Sequence, residues 1–97
     1  MRDVSFHEDA DAEMVEAAQY YEDRAFGLGA SFLDAVQEAI DKVSSDPEAY
    51  QLVGKEIRQK LLRRFPYSIL YAVDNDRIRI VAIAHHKRRP GYWKSRL

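Results

Sequence analysis

The sequence predicts an α+β fold in which an N-terminal strand and an α-helical hairpin pack on a small antiparallel β-sheet. Apolar residues recur at helical spacing in the first half of the chain and at alternate positions in the second half. A proline-containing break separates the halves, and a basic tail follows the last predicted strand. The expected order is therefore β-α-α-β-β-β, in one domain that spans residues 1–97.

The first half is predicted to form one short strand and two helices. Residues 4–6 alternate in character as a strand does, and a first helix is expected from about residue 9 to residue 24. The glycine-containing residues 26–29 end it, so the two helices form an antiparallel hairpin. The second helix ends before Pro47, because the residue before a proline resists helical geometry. Its apolar stripe consists of Phe32, Leu33, Val36, Ile40 and Val43.

The second half is predicted to form three strands. Residues 56–62 mix charged and apolar side chains, as on a half-exposed strand. Residues 67–73 and 77–85 form the next two strands around a turn at residues 74–76. Both faces of residues 69–73 and 80–84 are apolar or small, so these strands are expected to be central and covered by the helices.

The charges are sorted along the chain. Through Glu48 there are 13 acids and three bases, which give a net charge of −10. From Ala49 onward there are three acids and 12 bases, which give +9. A basic half with interleaved aromatic residues is typical of proteins that bind a polyanion such as RNA, DNA or an acidic protein segment.

Several classes of function are excluded or disfavoured. The chain has no cysteine, which excludes disulfides, thiol catalysis and thiolate metal sites. Residues 1–6 lack the apolar stretch of a signal peptide, and the apolar run at residues 80–84 is too short to span a membrane. The adjacent His85 and His86 suit a shared metal poorly. We therefore expect a cytoplasmic protein without membrane association, metal or cofactor.

Two basic clusters are candidate binding surfaces. The first lies on the strand at residues 56–62 and just after it, where Arg58, Lys60 and Arg64 should share one face while Arg63 points the other way. Such a strand can offer parallel cations to a phosphate chain or to a row of carboxylates. It can equally be an edge strand whose charge prevents aggregation.

The second cluster lies in the tail. It consists of His85, His86, Lys87, Arg88 and Arg89, with Tyr92 and Trp93 close behind. Metal-independent RNA cleavage needs a base, an acid and cations for the phosphate, and these residue types can supply all three. The alternative is a structural tail in which one histidine caps the strand and Trp93 packs on the core.

Several segments together resemble the RelE/ParE superfamily of bacterial toxins, which includes plasmid stabilisation proteins. The segments are RRFPYSILYAV (63–73), IRIVAIAH (78–85) and RRPGYW (88–93), preceded by residues 20–22, 27–29, 32–33 and 46–47. The resemblance covers nearly the whole chain in the right order. It implies the same fold, two helices against a small antiparallel sheet.

The resemblance also implies a function. Members are toxins of type II toxin–antitoxin modules, which arrest growth until an antitoxin encoded nearby binds them. RelE-like members cut mRNA in the ribosome, and ParE-like members inhibit DNA gyrase. RelE-like nucleases commonly carry an arginine after the first tyrosine of the strand that holds Tyr67 and Tyr71, where this chain has Ser68. Arg88 and Tyr92 fall where these nucleases carry a tail arginine and tyrosine.

Three hypotheses follow. The first is a ParE-like gyrase inhibitor, which Ser68 favours. The second is a ribosome-dependent, metal-independent endoribonuclease, which the two histidines favour. The third is a non-toxic module whose basic half docks an acidic peptide. The catalytic set of a nuclease would be Arg58, His85, His86, Arg88 and Tyr92. The surface for nucleic acid or antitoxin would be Arg58, Lys60, Arg63, Arg64, Lys87, Arg88 and Arg89.

Overall fold

The computed structural model describes residues 2–97 and confirms the α+β fold class. The helices are α1 (Glu8–Arg24) and α2 (Leu28–Ser45). The strands are β1 (Asp3–Phe6), β2 (Gln51–Gly54), β3 (Ile57–Leu61), β4 (Tyr67–Asp74) and β5 (Arg77–His85). Short 3₁₀ turns at Pro47–Ala49 and Lys94–Arg96 follow α2 and end the tail.

The strands form one sheet in the order β1-β5-β4-β3-β2. Strands β2 to β5 are antiparallel to their neighbours, whereas β1 runs parallel to β5 at one edge. Strand β2 was not predicted, because its four residues carry no alternating pattern and the pairing with β3 defines it. The predicted strand at residues 56–62 is consequently shorter, since Glu56 lies in the β2–β3 turn with φ 62°.

Each face of the sheet is covered by a different part of the chain. The helices cover one face, where Phe32 and Val43 pack on Ile69, Tyr71 and other apolar residues of the central strands. The tail covers the opposite face, where Trp93 is 6% exposed and packs in a second cluster of buried residues. This second cluster consists of Ile57, Leu70, Ala72, Val81, Ala82, Ala84 and Trp93. Strands β4 and β5 are central, as predicted, but the helices cover only one of their faces, and the tail accounts for the small and apolar residues on the other.

The helical hairpin is closed by one carboxylate. Glu22 near the end of α1 accepts hydrogen bonds from the backbone N–H groups of Gly27 and Gly29, at 3.0–3.1 Å. At Gly29 the helices approach so closely that an added Cβ would lie 2.6 Å from the carbonyl oxygen of Ala18. A glycine at this position is therefore a packing requirement.

One predicted core position is wrong. Leu33 was assigned to the buried stripe of α2, but it is 41% exposed. The residues of α2 that face the sheet include Phe32, Val36 and Val43. Leu33 lies about 100° around the helix axis from Phe32, so its side chain points away from the sheet. Periodicity therefore located the stripe but overestimated its width.

Candidate binding surface at one end of the sheet

Two segments meet at one end of the sheet, the β3–β4 loop and the chain that follows β5. The backbone N–H of His86 donates to the carbonyl oxygen of Pro66 at 2.9 Å. Five exposed cations belong to these two segments, and we call them the basic end. They are Arg63, Arg64, Lys87, Arg88 and Arg89. An acidic ligand that reaches this end of the sheet meets cations that are separate in sequence but close in the fold.

Two cations of the predicted binding set lie elsewhere, on the helix-facing side of β3. Arg58 donates hydrogen bonds to the backbone carbonyl oxygens of Tyr50 at 2.6 Å and Glu48 at 3.2 Å. The ammonium nitrogen of Lys60 lies 5.1 Å from the centre of the Tyr50 ring. Arg58 therefore holds the turn after α2 in place, and both cations are half-buried.

Arg64 corrects a second part of that prediction. It was expected to share the face of Arg58 and Lys60, but β3 ends at Leu61 and Arg64 lies in the following loop with φ 72°. Its guanidinium lies 5.6 Å from the centre of the Phe65 ring. Arg63 lies 3.9 Å from Glu38 of α2, so neither arginine of the loop continues the row of strand cations.

The two histidines make different contacts. The ring of His85 packs edge-on against Tyr67 with 5.0 Å between ring centres, and its Nδ1 accepts the backbone N–H of Lys87 at 3.0 Å. His86 Nε2 lies 2.9 Å from Ser68 Oγ, and Ser68 is only 3% exposed. His85 therefore caps the strand end, while His86 forms a pair with the serine.

The Ser68–His86 pair borders a groove of about 390 Å³ on the face of the sheet that the tail covers. Its apolar lining includes Val53, Leu61, Leu70 and Trp93. A larger cleft of about 950 Å³ lies between β1 and α2. We take the smaller groove as the functional candidate because it adjoins the basic end and contains the predicted histidines.

A partly buried carboxylate fixes the tail to α1. Glu13 accepts four hydrogen bonds: from Tyr92 Oη at 2.6 Å, from the backbone N–H of Ile83 at 3.0 Å, and two from the Arg96 guanidinium at 2.8 and 3.0 Å. Arg96 also donates to the carbonyl oxygen of Val81 at 3.1 Å. We call Glu13, Tyr92 and Arg96 the tail clamp.

Sequence analysis did not single out Glu13 among the acids of α1. A signal was present. Glu13 stands three residues after Ala10 and four before Ala17, and both alanines are buried. That spacing places Glu13 on the inward face of α1, where an acid needs partners.

The tail clamp shifts the pKa values of its members. Burial raises the pKa of Glu13, but hydrogen bonds from Arg96, Tyr92 and Ile83 outweigh burial, so the net shift is downward from 4.5. Burial raises the pKa of Tyr92, and its hydrogen bond to the Glu13 carboxylate raises it further. The hydrogen bond to Glu13 also raises the pKa of Arg96. At neutral pH the clamp therefore holds a carboxylate, a guanidinium and a protonated phenol.

The aromatic residues near the basic end are already covered. The Tyr92 ring contacts two guanidiniums, that of Arg88 at 3.8 Å and that of Arg96 at 5.0 Å from its centre. Phe65 and Trp93 are buried, and Tyr67 packs against His85. An unpaired base would have to displace one of these contacts before it could stack.

The described residues 2–97 lack two further kinds of feature, a metal-ligand cluster and a membrane-spanning helix. Among residues 2–97, no group of three or more His, Cys, Asp or Glu side chains is arranged to hold a metal ion. None of the helices within the same residues is long and apolar enough to cross a membrane.

Comparison with protein families decides the membership of this chain. The model of the family described as "ParE toxin of type II toxin–antitoxin system, parDE" matches residues 4–90. The chain belongs to the ParE toxin family. This ParE-family chain therefore has the role of a toxin, and its partner is a cognate antitoxin.

A solved structure similar to this ParE-family toxin is the "Chromosomal ParDE TA system from P. aeruginosa". The TM-score is 0.63 at 21% identity, over 88% of this chain and 96% of that chain. Identity at this level shows a common fold. A search of curated proteins found no match.

Proposed function

We propose that this toxin arrests bacterial growth by binding DNA gyrase through the basic end, without an active site of its own. The observation that carries the proposal is that the Tyr92 hydroxyl donates to Glu13 at 2.6 Å and is occupied within the fold. In a nuclease this hydroxyl would exchange a proton with RNA. Its raised pKa moves it away from the near-neutral range in which acid–base catalysis is efficient.

Ser68 supports the same proposal. RelE-like nucleases commonly use an arginine at this strand position to stabilise the phosphate, whereas Ser68 is buried and carries no charge. Charge stabilisation is usually a large part of the barrier reduction in phosphate chemistry. The covered aromatic rings add a second argument, because single-stranded RNA is usually held by base stacking on exposed rings.

The cognate antitoxin is proposed to use the same surface. The exposed cations of the basic end would pair with its acidic side chains, so that neutralisation and target binding compete for one site. Salt weakens the attraction between exposed charges, and the Debye length, over which this screening acts, is about 8 Å at physiological ionic strength. We therefore expect the toxin–antitoxin complex to weaken as salt concentration rises. Both the gyrase and the antitoxin would be met in the cytoplasm.

Ribosome-dependent mRNA cleavage is the second candidate function, and one observation favours it. His86 Nε2 lies 2.9 Å from Ser68 Oγ at the groove, and the exposed Arg88 follows two residues later. A neutral histidine there could accept the proton of a 2′-hydroxyl while Arg88 stabilises the phosphate.

The deciding experiment combines two assays on one set of strains. The chain is induced in a bacterium, new RNA 5′ ends are mapped within minutes, and the supercoiling activity of gyrase is measured with purified toxin. The variants are Ser68→Ala, which removes the histidine's partner, and Arg88→Glu, which reverses one cation of the basic end.

We expect the toxin to inhibit supercoiling and to leave mRNA intact. This inhibition should be lost in Arg88→Glu and kept in Ser68→Ala. If new 5′ ends appear inside translated codons and disappear in Ser68→Ala, the function is RNA cleavage and the gyrase proposal is wrong. Absence of growth arrest would reject both and leave a binding module for an acidic peptide.

A further inference from the structure

Glu13 bears the wrong charge for a polyanion-binding surface, yet it lies beside the basic end. Its Oε2 is 3.9 Å from the Arg88 guanidinium. By electrostatics alone, removal of this negative charge would strengthen binding of an acidic partner. The contacts of Glu13 predict the opposite, that removal of its carboxylate weakens binding.

The first connection is at the edge of the sheet. The pairing of β1 with β5 ends at Ile80, whose carbonyl oxygen accepts the backbone N–H of His7. Beyond this point β5 continues without a neighbouring strand on that side. Arg96 bonds the carbonyl oxygen of Val81 and Glu13 bonds the N–H of Ile83. Side chains of the tail clamp thus supply the hydrogen bonds that β1 would supply if it continued alongside β5.

The second connection runs through Tyr92. Its hydroxyl donates to Glu13, and its ring contacts the guanidiniums of Arg88 and Arg96. A carboxylate has about four acceptor positions, and the four hydrogen bonds to Glu13 fill them. The hydroxyl bond therefore anchors the ring at Glu13, and the Arg88 guanidinium lies 3.8 Å from the ring centre.

We infer that Glu13 is a positioning residue for target recognition, which acts through Tyr92 to hold Arg88 in its binding orientation. The Arg88 side chain is 53% exposed, and arginine has many rotamers. An Arg88 that nothing held in place would therefore lose rotamer entropy on binding. Because the tail clamp already restricts Arg88 in the unbound toxin, less rotamer entropy is lost on binding. The inference rests on the proposed use of the basic end, and it holds whichever target is bound.

The test compares Glu13→Gln with Glu16→Gln, a matched control on the same helix. Both changes remove one negative charge, but Glu16 is exposed and has no hydrogen bond to the tail. The first readout is the NMR shift of the Arg88 side-chain protons, which the Tyr92 ring displaces upfield. The second is the amount of toxin per cell that arrests growth.

Glu13→Gln is expected to lose the upfield shift and to need about tenfold more toxin for arrest, while Glu16→Gln keeps both properties. Tyr92→Phe serves as a second variant, because it removes the hydroxyl link and keeps the ion pair of Glu13 with Arg96. It is expected to reduce the same shift even if Glu13→Gln fails to fold.

Two results would overturn the inference. One is a folded Glu13→Gln toxin that keeps the Arg88 shift and is as potent as Glu16→Gln; the other is an unchanged Arg88 shift in Tyr92→Phe. Failure of the proposed function has a different signature. In that case Arg88→Glu still arrests growth, whatever the Arg88 shift shows in the clamp variants.

Discussion

The guanidinium of Arg88 lies 3.8 Å from the centre of the Tyr92 ring, four residues further along the tail. This contact joins the predicted phosphate-binding arginine to the predicted proton donor, and it makes the tyrosine a support for the arginine. We propose that the pair forms part of the binding surface at the basic end.

Reversal of Arg88 should abolish growth arrest. Arg88→Glu places a carboxylate among the remaining cations of the basic end, where it repels an acidic ligand and leaves the core untouched. Arg77→Glu is the control, because Arg77 is an exposed base at the opposite end of β5. Growth after induction measures both variants. Full arrest by Arg88→Glu, or equal loss in both variants, would contradict the assignment of the surface.

Loss of Arg58 should affect stability. Its guanidinium bonds two backbone carbonyl oxygens after α2, and hydrogen bonds to charged groups contribute about 1.5–3 kcal/mol each. We expect Arg58→Ala to lower the free energy of unfolding by about 2 kcal/mol. Denaturant unfolding followed by the fluorescence of Trp93 measures it. The control Arg89→Ala should change stability by less than about 0.5 kcal/mol; equal effects would refute the structural role of Arg58.

The contribution of Glu13 to stability should disappear in acid. Its pKa is lowered in the folded state, so its stabilising effect is complete above the ordinary value of 4.5 and is lost as pH falls through the lower folded value. The difference in unfolding free energy between wild type and Glu13→Gln should therefore be constant near neutrality and shrink below pH 4.5. Thermal unfolding at several pH values measures this difference. A difference that grows in acid would mean that the pKa is raised.

The hairpin offers a test at its two glycines. Gly29→Ala places a Cβ 2.6 Å from the carbonyl oxygen of Ala18, so the helices must separate, at a cost of about 1–3 kcal/mol. Gly27→Ala meets open space, but its φ of 83° costs an L-residue about 1–2 kcal/mol. Both should unfold more easily than wild type. Only Gly29→Ala should change the backbone NMR shifts of Ala18, and unchanged shifts there would contradict the close approach of the helices.

Local pattern was sufficient for most of the elements. The turn at residues 74–76, the glycine break between the helices and the end of α2 before Pro47 agree with the structure, because each depends on residues close in sequence. Strand β2 and the exposure of Leu33 did not follow from pattern. The first depends on a partner strand, and the second depends on how far the sheet extends beneath the helix.

The candidate site shows the same division. The sequence by itself determined that cations and histidines concentrate in the second half, and that Ser68 replaces a charge. Only the tertiary structure decided that Arg58 and Lys60 face the helices while Arg63 and Arg64 lie in the loop after β3. It also decided that Glu13 bonds Tyr92 and Arg96, which lie 79 and 83 positions away. Composition fixes how much charge a chain carries, but contacts between distant residues arise from packing, and packing determines which charges are free to bind.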